Sequence, residues 1–106
     1  MTRCYRGVAR NNLHYLDALQ GIARPRGGSA SPADHCFGDT ASQYTSWTTR
    51  RAVAVEKALD TDLGGRGVVL TKDIADSKLT LSPDFFGEAE VLVSGTVTDA
   101  LVKWLP

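Results

Sequence analysis

The sequence carries no surplus of charge of either sign. Twelve basic residues are matched by twelve acidic ones in 106 positions, so no bulk field draws the chain onto nucleic acid or an anionic membrane. It also lacks any apolar run near the roughly twenty residues that span a bilayer, and the residues just after Met1 read as a strand rather than a signal peptide, so no membrane contact is expected. Cysteine is scarce. Cys4 and Cys36 are the only two and have no framework spacing, which points to free thiols of a reducing compartment. Neither C-x-x-C nor H-E-x-x-H occurs, so Asp34-His35-Cys36 with Cys4 or His14 is read as loop polarity beside a thiol, and no metal is expected. A thiol-protease pair lacks context for the same reason. Gly64-Gly65-Arg66-Gly67 precedes a strand instead of the helix that a phosphate loop requires. No internal repeat is visible.

What is present is the composition of an ordinary globular chain, 42% hydrophobic, enough for one core and one domain over residues 1–106. Arg3 to Val8 reads as a first strand. After Asn11-Asn12, Leu13, Leu16, Leu19 and Ala23 recur at helical spacing until Gly21 and Pro25 close the segment. Gly27 to Asp39 is a loop rich in Gly, Ser, Pro and Asp. Gln43 to Thr49 has strand composition, and Ala52, Val55, Leu59 and Leu63 form a helical stripe over Arg50 to Leu63, ended by Gly64-Gly65. Gly67 to Thr71, Leu79 to Leu81 and Glu90 to Val97 read as strands, the last broken at Gly95, and Ala100 to Leu105 as a strand or a helical turn. Helices early and strands late predict an α+β fold with two short helices and a mostly antiparallel sheet.

Near the end stands GEAEVLVSG. Strand alternation would put Glu88 and Glu90 on one face and Ala89, Val91 and Val93 on the other, so two carboxylates become neighbours that repel. Such a pair raises the proton affinity of one member, useful in a cleft and of no evident use at a solvated strand end. Two other stretches stand with it in order along the chain: Cys4-Tyr5-Arg6-Gly7 on the first strand and Tyr44-Thr45-Ser46-Trp47-Thr48 on a later one.

Together these stretches resemble the Arg-Ser-Glu class of mono-ADP-ribosyltransferases, the fold of many bacterial toxins, over nearly the whole chain. The resemblance implies a small split-sheet domain that binds NAD as co-substrate. It makes Arg6 the first-strand arginine, Ser46-Trp47-Thr48 the counterpart of an S-T-S strand, Glu90 the catalytic glutamate, Glu88 the upstream residue of E-x-E, and Phe85-Phe86 the aromatic part of the substrate-recognising turn. It further implies transfer of ADP-ribose to a macromolecular target, with a protein arginine the first expectation from Glu88. The setting it implies is a toxin domain of a secreted or injected effector used in interbacterial competition, acting in the target-cell cytoplasm and neutralised in its producer by an immunity protein or antitoxin. An NAD glycohydrolase of the same fold and a catalytically silent binding module are the alternatives.

The chemistry of each position is legible without that likeness. A guanidinium grips phosphate bidentately where an ammonium cannot, so Arg6 suits a pyrophosphate, and Gly7 would let a ligand approach the backbone. Ser46 and Thr48 share a strand face, with Trp47 turned to the core, and the Ser46 hydroxyl is placed to hold Glu90. Breaking a ribosyl bond builds positive charge on the sugar, which a carboxylate such as Glu90 stabilises, while Glu88 would orient and deprotonate the acceptor. Taken with the resemblance, this chemistry implies NAD contacts from Arg6, Gly7, Ser46, Thr48 and Glu90 and target contacts from Phe85, Phe86 and Glu88, with flanking charge from Arg24 and Arg26.

Overall fold

A computed structural model describes residues 1–27, 42–82 and 89–105. The fold is α+β, as the element order predicts: the described residues form two helices and a six-stranded sheet in which every pairing is antiparallel. In chain order the elements are β1 (Thr2–Val8), α1 (Tyr15–Ala18), β2 (Tyr44–Thr48), α2 (Arg51–Ala58), β3 (Val68–Ile74), β4 (Leu79–Leu81), β5 (Glu90–Ser94) and β6 (Leu101–Trp104). The sheet order is β4-β5-β2-β1-β3-β6. The last segment, open between strand and helical turn in the sequence, is a strand because it completes the edge beside β3.

Alternation sorts the residues into two faces. Cys4 and Val8 of β1, Trp47 of β2, Val68, Leu70 and Ile74 of β3, and Val91 and Val93 of β5 pack into one core, covered by Ala18 and Ala23. Trp47 buries its ring there, and its indole N–H donates to the Thr45 hydroxyl at 2.9 Å, so the core's largest side chain leaves no polar atom stranded. The opposite face packs against α2 through Val69, Ala54 and Ala58, with Tyr5 and Val55 at the margin.

Both helices depart from the predicted stripes. In α1 only one turn forms, and Leu13 and Leu16 stand 74% and 75% exposed. The side chain of Asn12 accepts the main-chain N–H of His14 at 2.8 Å, a local turn that competes with a helix start, and Gly21 takes a positive φ of 74° soon after. What this segment buries is Ala18 and Ala23, with Tyr15 and Leu19 beside them. In α2 the buried residues are Ala54 and Ala58, while Ala52, Leu59 and Leu63 are exposed. The cause is the distance of approach: a Cβ on Gly7 would lie 1.8 Å from the Ala54 carbonyl oxygen, so helix backbone rests on strand backbone and only alanine fits between. The helix ends at Ala58, and Thr61–Leu63 continues as a 3-10 turn capped by Gly64 at φ 85°.

The centre of the sheet is weakly joined. β1 meets β3 in seven register pairs and β2 meets β5 in five, but β1 and β2 share one, Tyr5↔Thr48. Past that pair the two strands part, and the gap between them is where the cavities described next open.

Candidate active site

Arg6 is half-buried on the core face of β1. It sits between Cys4 and Val8 on the strand face that those two bury, and its register partner is Leu70. Its Nη1 donates to the Ser46 carbonyl oxygen at 2.9 Å across the gap between β1 and β2. A side chain thus takes the place of a ladder donor where the main chains have separated. Among the described residues this is the one hydrogen bond of Arg6 and no carboxylate pairs with it, although a guanidinium carries five N–H donors. Burial lowers its pKa to about 10, with no other cause. It remains a cation at neutral pH, held in a poorly solvated position without a counter-ion among the described residues, which costs folding free energy.

Two cavities meet at this arginine. The first, of about 210 Å³, is lined by Tyr5, Arg6, Gly7, Val8, Asn12, Ser46, Trp47, Thr48, Lys57 and Glu90. The expected NAD-contacting residues Arg6, Gly7, Ser46, Thr48 and Glu90 are therefore gathered at one opening from β1, β2 and β5. The second, of about 230 Å³, lies across Arg6 and is walled by Asn12, Leu13, His14, Arg24, Pro25, Arg26, Tyr44, Thr45 and Ser46. Arg6, Asn12 and Ser46 line both, so the two form one cleft with the guanidinium at its waist.

Glu90 opens β5 and pairs in register with Thr48. Its carboxylate accepts a hydrogen bond from the Ser82 hydroxyl, and the Ser82 N–H donates to the Glu90 carbonyl oxygen at 3.4 Å. The hydroxyl seen holding the carboxylate thus comes from the end of β4, whereas the sequence pointed to Ser46. Ser46 is opposite Leu92 and so a diagonal neighbour of Glu90 on the same face. The Thr48 hydroxyl accepts the Arg50 N–H at 3.1 Å, which fixes the turn into α2. Gly7 admits a close approach, as its residue type promised, but what approaches is α2.

Glu88, Phe85 and Phe86 lie outside the described residues. β5 begins at Glu90, and Ala89 before it has a φ of 50°. Arg24 stands at the second cavity and pairs with Asp17 at 3.5 Å; Arg26 joins it there. Asn12, His14, Tyr44, Lys57 and Ser82 were missed. Asn12 read as a helix start, and nothing local marks the others, since only the fold brings them to the cleft.

Cys4 is buried as a free thiol, its pKa pushed up to about 11 by burial. Such a thiol is inert rather than nucleophilic. Among the described residues no three His, Cys, Asp or Glu side chains converge as metal ligands, and no helix is long and apolar enough to cross a membrane. No family model matches this chain, and no curated protein sequence matches it.

Proposed function

We propose that this chain is a mono-ADP-ribosyltransferase that splits NAD and passes ADP-ribose to a macromolecular acceptor, with a protein arginine the first choice. The observation that carries the reading is Arg6: a guanidinium on the core face of a strand, without a carboxylate partner among the described residues, opening into a cleft whose far wall holds Glu90. An uncompensated cation at such a position is a standing cost to the fold, and a bound anion offsets it. A dinucleotide supplies that anion in its pyrophosphate and presents a glycosidic bond to the carboxylate.

In this reading the bond from ribose C1′ to the nicotinamide nitrogen breaks, and its electron pair leaves with the nicotinamide. Glu90, kept oriented by Ser82, stabilises the positive charge that develops on the ribose. The acceptor's lone pair then forms the new bond to C1′ and its proton departs. Glu88 takes the acceptor-side role and Phe85-Phe86 the target surface. The biological setting is a toxin domain of an injected or secreted effector, working in the cytoplasm of the cell it enters and silenced in its producer by an immunity protein.

The test is incubation with NAD labelled on its adenylate, with and without bacterial lysate. Released nicotinamide together with label on a macromolecule supports transfer. Nicotinamide release with free ADP-ribose alone makes the chain an NAD glycohydrolase. No release in either arm overturns both.

A further inference from the structure

The sheet ends at β6, and the outer edge of β6 is only partly covered. Leu105 donates its N–H to the Gly67 carbonyl oxygen at 3.1 Å, in the same register that pairs Lys103 with Val69 and Leu101 with Thr71. Alternate residues of an antiparallel ladder bond to the same side, so these three turn their main-chain groups toward β3, while Ala100, Val102 and Trp104 turn theirs outward. Along that outer line the chain supplies its own partner as far as Ala100. Ala23 and Val97 exchange two hydrogen bonds of 2.9 Å, and the Ala100 N–H donates to the Gly21 carbonyl oxygen at 3.1 Å. Beyond Ala100 the line is open: among the described residues no strand pairs with the outward N–H and C=O groups of Val102 and Trp104. Large apolar side chains stand at this opening, Leu101 71% and Trp104 61% exposed. Between them Lys103 is exposed and has no carboxylate partner among the described residues.

We propose that this open edge is a docking site for an extended segment of another protein, which adds a strand beside β6 and carries an acidic side chain opposite Lys103. The two free residues offer four main-chain hydrogen bonds, the means by which sheet edges capture extended peptides. Val102 and Trp104 lie opposite Leu70 and Val68, on the core face of the sheet. The residues that flank the acid are therefore apolar and cover Val102 and the Trp104 ring. The acid itself meets Lys103 in a non-hydrogen-bonded pair, the closer of the two cross-strand spacings. A second copy of the chain does not fit. An antiparallel copy that uses both free residues pairs Val102 with Trp104, which sets Lys103 against Lys103 of the second copy, like charges directly opposite. Pairing Val102 with Val102 instead brings Trp104 of the second copy to Ala100, where Gly21 already stands. Lys103 thus guards the edge against self-pairing and selects a partner of opposite charge.

Amide hydrogen exchange by NMR on the full chain, titrated with the acetylated and amidated peptide Ser-Thr-Val-Glu-Val-Thr-Ser, tests this. In the unbound protein the amides of Val102 and Trp104 are expected to exchange fast and those of Leu101 and Lys103 slowly. The peptide should slow the first two as it fills the edge and move the emission of Trp104 to shorter wavelength, Trp47 being already buried. A peptide with Lys in place of Glu should bind about fivefold more weakly or worse, and the Lys103→Glu protein should reverse that order. Methylation of both valine nitrogens of the peptide should abolish binding. No protection of Val102 and Trp104 at millimolar peptide overturns the docking site. Equal affinity for the Glu and Lys peptides overturns the acidic partner, and protection that rises with protein concentration in the absence of peptide gives the edge to a second copy instead. None of these readouts involves NAD, so the transferase reading stands or falls separately.

Discussion

Arg6 and Glu90 show how much one side chain's surroundings decide. Both are ordinary in the sequence, and among the described residues each side chain is held by one oxygen partner: the Ser46 carbonyl for Arg6, the Ser82 hydroxyl for Glu90. Glu90→Gln keeps the volume and an acceptor for Ser82 but removes the charge, so NAD cleavage is expected to fall about a hundred- to a thousand-fold at an unchanged melting temperature. A rate within a factor of three of wild type would remove Glu90 from the chemistry. Arg6 should behave in the opposite sense for stability. Its desolvation is borne in full at every pH below about 10. Arg6→Met is therefore expected to leave the empty protein as stable or up to about 2 kcal/mol more so in urea unfolding, with nucleotide binding lost. A loss of stability greater than about 2 kcal/mol would make Arg6 a structural clamp instead.

Among the elements, the helices depart most from their sequence pattern, and the reason is the same in both. Large apolar residues at helical spacing describe a helix that packs by interleaved side chains. Here α2 lies backbone to backbone on β1 at Gly7, and the residues it buries are Ala54 and Ala58, the smallest ones with a Cβ. Gly7→Ala should accordingly cost more than about 3 kcal/mol, because the helix must lift off the sheet. Leu16→Ser, in the middle of a predicted stripe yet 75% exposed, should change stability by no more than about 0.5 kcal/mol. Chemical unfolding of the two variants checks both. A severe Leu16→Ser would mean that the 13–16 segment packs against something. The strands were legible because their residues alternate against a two-sided sheet, and β2 shows it clearly, with Trp47 turned inward and Ser46 and Thr48 opposite Leu92 and Glu90.

Across the whole molecule the cleft follows from a sheet joined at its middle by one register pair and one arginine. A ligand that fills the gap should tie the two halves together. NAD added to the Glu90→Gln protein, which cannot consume it, is expected to raise the melting temperature in step with occupancy, by about 2.7 kcal/mol of stability at a hundred times Kd. No shift at millimolar NAD would mean that the dinucleotide does not bind there. Hydrolysis and transfer should separate at residues 85, 86 and 88, between β4 and β5 in sequence. Glu88→Gln is expected to abolish labelling of the target while slow nicotinamide release continues, and Phe86→Ala, with Phe85→Ala less so, to impair labelling more than release. Equal loss of both activities in a folded Glu88→Gln protein would favour a glycohydrolase that uses both carboxylates.

By itself the sequence determined the fold class, the strands, the inward Trp47 and the candidates Arg6, Ser46 and Glu90, because alternation and residue chemistry are local properties. The tertiary structure decided what local pattern does not encode. It replaced the leucine stripes with alanine contacts, since the distance between α2 and β1 is set by Gly7 some forty-seven residues from Ala54. It gave Glu90 to Ser82 rather than Ser46, since strand pairing puts the end of β4 beside the start of β5. It also drew His14, Arg24 and Arg26 to the far side of Arg6, since the Ala23↔Val97 bridge and the turn at Asn12 carry separate stretches of chain to one opening. Which residues share a cleft depends on pairings between distant segments, and sequence spacing does not record them.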